Sequence, residues 1–130
     1  MTLQELTEYS KLCDRIEQNK QILESLRTAA EPGAQVLTGM PHAPGVKDKV
    51  GDLAVEIADM EERIRFQQEA AERQKDAVET FIESIEDDRL RIACRLRFIR
   101  GLAWSAVADV MGFDSEENVR RMCYRHIGRQ

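Results

Sequence analysis

Residues Val50, Leu53, Ile57, Met60, Ile64, Gln67, Ala71, Gln74, Val78, Phe81 and Ile85 fall at strictly alternating steps of three and four. That spacing belongs to a helix that lays one continuous face along another helix. A helix from about 47 to 85 would run nearly ~60 Å at about 1.5 Å per residue. Such a stripe is not stable alone in water, so the chain must supply or find a helical partner. Gln67 and Gln74 interrupt the apolar seam, and polar seam residues of this kind fix register at some cost in stability.

The partner is expected from the start of the chain. Leu6, Tyr9, Cys13, Ile16, Leu23 and Ala30 recur at helical steps, with Leu3, Leu12, Ile22 and Leu26 broadening the stripe. This reads as an amphipathic helix over about 2–30. Thr2 and Glu5 have the spacing of a capping box, and Glu31-Pro32-Gly33 ends the segment. Residues 31–45 hold all three prolines and form a connector that is long for a tight helical hairpin. Residues 1–86 are therefore expected to make a long antiparallel helical hairpin, or coiled coil. The first helix is about ten residues shorter than the second, which leaves apolar stripe near Val78–Ile85. Homodimerisation through that stripe is the corresponding expectation.

Charge divides the 130 residues unevenly. Residues 88–130 carry nine arginines against five acids, a formal +4, while residues 1–87 carry −9. An acidic body with an arginine-only basic end directs attention to that end as the part that meets a polyanion. Attraction between the two halves is the plainer alternative. Cys13, Cys94 and Cys123 are odd in number and widely spaced, so neither a disulfide framework nor a metal site is expected. All three fit apolar helix positions as buried thiols. No apolar run has membrane length and no signal-peptide pattern is present, so the expected location is cytoplasmic, without a membrane partner.

Residues 87–130 read as a trihelical module. Asp88 is placed to cap a helix from Arg89 to about Arg100, which Gly101 ends. Trp104, Val107, Ala108 and Met111 share a face of a second, short helix, and Gly112 suits a left-handed turn. Asp114 or Ser115 caps the last helix, in which Val119, Met122, Cys123, His126 and Ile127 form the inner face. Its other side carries Glu117, Arg121, Tyr124 and Arg125, flanked by Asn118 and Arg120. Arg and Asn suit purine edges in a major groove, and Glu can accept from cytosine. These six are the candidate base readers. Arg95, Arg97, Arg100 and Arg129 are the candidate phosphate contacts, with Arg89 and Arg91 also available to phosphates or to acids of the protein itself. Glu116 and Glu117 complicate that picture, since their simplest role is to stabilise the positive end of the helix.

Leu96-Arg97-Phe98, Gly101-Leu102, Trp104, Val107-Ala108-x3-Gly112 and Ser115-x3-Val119-Arg120 together resemble region four of bacterial sigma factors. The whole chain, including Thr38-Gly39-Met40-Pro41 and Asp48-Lys49-Val50-Gly51-Asp52, resembles a family of small phage and prophage proteins. Those proteins pair a coiled-coil-like N-terminal half with a sigma-like helix-turn-helix. The resemblance implies that the helix after Ser115 reads DNA through Glu117, Asn118 and Arg120, with Arg121 and Arg125 beside them. Three departures stand out. Ala103 occupies a position that is often a capping Ser or Thr, Phe113-Asp114 lengthens the turn by a residue, and Glu116 replaces a residue that is commonly basic. Nothing here corresponds to the sigma regions that melt and hold a promoter.

The expected function is a phage-type, DNA-binding transcription regulator acting as a dimer, with double-stranded DNA as partner and RNA polymerase as a candidate second one. The alternative is a protein-interaction adaptor whose coiled coil is the working surface. No nucleophile–base pairing, phosphate loop or metal cluster points to an enzyme, and no cofactor or small-molecule substrate is expected.

Overall fold

The computed structural model describes residues 1–31 and 49–128, and the side chains from Gly51 onward in the second segment. Among the described residues the fold is all-α, with no strand. Five α-helices follow in order: α1 Leu3–Ala30, α2 Lys49–Glu83, α3 Asp88–Cys94, α4 Trp104–Met111 and α5 Glu116–Gly128. A π-helical turn, Arg95–Ile99, continues α3. No helix among the described residues is long and apolar enough to cross a membrane. Most of the connector, from residue 32 onward, lies outside the described residues, as does Arg129.

The chain divides into two compact units. One unit is Arg15–Glu69; the other joins Met1–Asp14 to Ala70–Gln130. The physical reason lies in what the C-terminal helices bury. Leu6 and Tyr9 of α1 and Val78 and Ile82 of α2 share one core with Leu90, Cys94, Phe98, Val107, Val119, Cys123 and Ile127. Val78 and Ile82 are 1% exposed and Ile85 is 3% exposed. Val78, Ile82 and Ile85, most of the stripe that the sequence leaves for a second chain, are therefore already covered from within this unit, while Phe81 is half-buried.

In the Arg15–Glu69 unit, Ile16, Leu23 and Ile64 are buried and Leu53, Ile57 and Met60 are half-buried. Asn19 Nδ2 donates to Gln67 Oε1 at 3.0 Å. Arg27 lies 3.7 Å from Glu61. The two contacts advance in opposite directions along the helices, so these segments of α1 and α2 run antiparallel. Gln67, the seam residue that breaks the apolar stripe, meets an amide partner rather than a hydrophobic one. Gln74 is exposed.

Local signals act largely as the sequence indicates. Thr2 N–H donates to Glu5 at 2.9 Å and Glu5 N–H donates to Thr2 Oγ1 at 3.1 Å, a reciprocal capping box. Gly112 closes α4 in the left-handed region at φ 75°. One assignment shifts: the cap of α3 is Asp87, whose Oδ1 accepts from Leu90 N–H at 3.1 Å. Asp88 is the first helical residue and pairs with Arg91 at 2.5 Å. The expected single helix to Arg100 also changes character at Arg95. There the amide of Arg100 donates five residues back to the Arg95 carbonyl at 3.0 Å. The wider turn accounts for apolar positions that point more than one way: Phe98 is buried, Leu96 and Ile99 are half-buried, and Ile92 is exposed.

Candidate nucleic-acid interface

α5 is positioned by its cap and its inner face. Ser115 Oγ accepts from Asn118 N–H at 3.2 Å, so Ser115 fills the role left open between it and Asp114. Val119, Cys123 and Ile127 are buried, and α5 packs on α3 and α4. Cys94 and Cys123 meet in this core. Their hydrogen bond, then burial, pushes the Cys123 thiol above the ordinary thiol range, while the same bond lowers that of Cys94. Cys13, half-buried, is also raised, mainly by burial.

With that face buried, the six candidate base readers fall into two groups. Glu117, Asn118, Arg121 and Arg125 are exposed. Asn118, Arg121 and Arg125 line a shallow hollow of about 300 Å³ with Leu90, Met122 and His126. Arg121 Nη2 donates to Glu117 Oε1 at 2.8 Å, one turn back, with both side chains 60% exposed. Arg120 and Tyr124 are half-buried on another side. Tyr124 stands edge-on to Trp104, with centroids 5.8 Å apart, and Phe98 meets the same indole at 6.0 Å. Tyr124 thus belongs to an aromatic cluster rather than to the open face.

The candidate phosphate arginines divide in a similar way. Arg95 pairs with Glu83 at the end of α2. Arg97 Nη1 donates to the Leu102 carbonyl at 3.0 Å and its guanidinium lies 5.5 Å from the Trp104 centroid. Arg89 stacks over Phe113 at 4.3 Å, and Arg91 Nη1 donates to the Ile85 carbonyl at 3.1 Å. These four brace the module. Arg100 is exposed.

The sequence does not bring α1 into this region, but the structure does. Thr7, Ser10 and Lys11 line a hollow of about 240 Å³ with Arg97, Phe98, Trp104, Arg120 and Tyr124. Lys11 belongs to the acidic half of the sequence, more than a hundred positions from Arg120, and no local pattern signals that they meet. Compared with known proteins, the chain matches no family model, no curated protein and no solved structure.

Proposed function

We propose that the chain is a sequence-reading DNA-binding regulator, in which α4, the turn Gly112–Ser115 and α5 form a helix-turn-helix with α5 as the recognition helix. A helical hairpin made by α1 and α2 would carry it. The observation that supports this most is the joint exposure of Asn118, Arg121 and Arg125 on one face of α5. Side chains of these types match purine edges in a major groove. The resemblance to sigma region four gives the same helix the same task. Two copies would serve to reach two half-sites. Val78, Ile82 and Ile85 are not free for that pairing.

The test is binding of the full chain to duplex DNA across a salt series. Engagement of about three phosphates gives a slope of log affinity on log salt near −2.7. Arg121→Ala and Arg125→Ala should each weaken a selected site by about 1–3 kcal/mol. Light scattering on the same samples reports whether two copies are present.

A second reading, a protein-interaction adaptor, draws on one specific observation. Arg89, Arg91 and Arg95 are engaged within the protein, so the +4 of the C-terminal third overstates the charge open to a polyanion. Ile22, Val55 and Phe66, exposed on the Arg15–Glu69 unit, would then be the working surface. No duplex binding at low salt, and no effect of either arginine variant, selects this reading.

A further inference from the structure

The hollow between α1, α4 and α5 gathers three cations. Lys11, Arg97 and Arg120 line it, and no carboxylate is among its described lining residues. None of the three forms an ion pair among the described residues, whereas Arg91, Arg95 and Arg121 each have an acid. Arg97 Nε is buried and has no acceptor among the described residues. Like charges drawn together without a counter-charge repel, and a buried unpaired N–H is costly, so the arrangement favours an anion. The hydroxyl-bearing residues Thr7, Ser10 and Tyr124 complete the lining, and Ser10 is the one buried polar residue among those described. At about 240 Å³ the space lies below the roughly 300–1,000 Å³ of pockets for drug-sized ligands. It suits a small tetrahedral oxyanion.

We infer that this hollow is a seat for one phosphate group, held by Lys11, Arg97 and Arg120 with hydroxyls from the surrounding residues. Guanidinium and ammonium donors supply charge-assisted bonds to phosphate oxygens, Arg as a fork and Lys as a point charge. The group is either a backbone phosphodiester of a bound duplex or free phosphate. Both offer the same oxygens. The seat also brings the first turns of α1 into ligand binding, and this holds whether or not α5 reads bases.

The chain has a single tryptophan, Trp104, and it lines the hollow. Its emission therefore reports occupancy in the full-length protein without a label. Inorganic phosphate, titrated against chloride at constant ionic strength, should change the emission saturably. Lys11→Ala and Arg120→Ala should each weaken that response at least about fivefold, while Lys11→Arg keeps it. Lys11 is exposed, so Lys11→Glu leaves the fold intact, as thermal melts will check, and should abolish the response.

A duplex arm separates the two sources. Weaker duplex binding by Lys11→Ala, with the salt slope reduced by about 0.9, assigns the seat to a backbone phosphate. Unchanged duplex binding beside a lost phosphate response assigns it to free phosphate. An intact phosphate response in a protein that binds no duplex removes the DNA reading and leaves the seat standing. Absence of a phosphate-specific change in the wild-type protein, or a change unaltered in Lys11→Ala, Lys11→Glu and Arg120→Ala alike, overturns the inference.

Discussion

Glu117 holds Arg121 at 2.8 Å across one turn of α5, so an acid already pairs with one of the exposed arginines that the proposed function turns toward DNA. Both side chains are well exposed, and pairs of this kind contribute about 0.5 kcal/mol or less to stability. Their consequence is for binding: Arg121 must leave Glu117 before it can meet a base edge or a phosphate. Glu117→Gln should strengthen nonspecific duplex binding several-fold while moving the melting midpoint little. Fluorescence anisotropy with random duplexes and a thermal melt check both halves. Weaker binding would instead make Glu117 a base contact, accepting from cytosine.

The last turns of α2 belong energetically to the C-terminal helices. Ile82 is 1% exposed in the shared core, so Ile82→Ala should cost about 2–5 kcal/mol. Phe66, 57% exposed on the same helix, is the control: Phe66→Ala should stay within about 0.5 kcal/mol. Urea unfolding followed at Trp104 measures both. Equal effects would mean that the core is not shared as described.

α4 starts without a side-chain cap. Ala103 occupies the cap position at φ −64°, ψ 153°, and offers no oxygen to the first turn. That backbone conformation is one in which Ser is at ease. Ala103→Ser should stabilise the protein by about 1 kcal/mol, read as a shift of the urea midpoint at unchanged slope.

Tyr9 gives an alkaline limit to stability. Burial, then its hydrogen bond with Cys13, raises the phenol above its ordinary value, with nearby Glu79 and Glu72 adding to the effect. A raised folded-state value means that the folded form holds its proton where the unfolded chain has lost it. The contribution is present in full below pH about 10, the unfolded value, and is lost as pH rises above it. Urea unfolding free energy should fall more steeply above pH 10 in the wild type than in Tyr9→Phe. Parallel pH profiles would show that Tyr9 has no part in that loss.

Much of the local structure was legible in residue spacing, because caps and turns are satisfied within a few residues. Thr2 and Glu5 cap α1 as their spacing indicates, Gly112 takes the left-handed turn, and Val119, Cys123 and Ile127 form the inner face of α5. The cap of α3 was missed by one residue because Asp87 and Asp88 are chemically the same. Only the backbone, extended at Asp87 and helical at Asp88, distinguishes them. The π-helical turn at Arg95–Ile99 was hidden because no residue type commands it. Within it, Phe98 is buried edge-on to Trp104.

The sequence alone determined that this chain is helical, where its helices α1, α4 and α5 begin or end, and which side of each is apolar, since periodicity and caps are short-range properties. The tertiary structure alone decided which of the described C-terminal arginines are committed to carbonyls, acids and rings, and that Val78, Ile82 and Ile85 are covered from within the chain. It also decided that Lys11 stands beside Arg97 and Arg120. Those outcomes depend on contacts between residues tens to more than a hundred positions apart. A charge or an apolar stripe has the same appearance in the sequence whether it is left open or already answered.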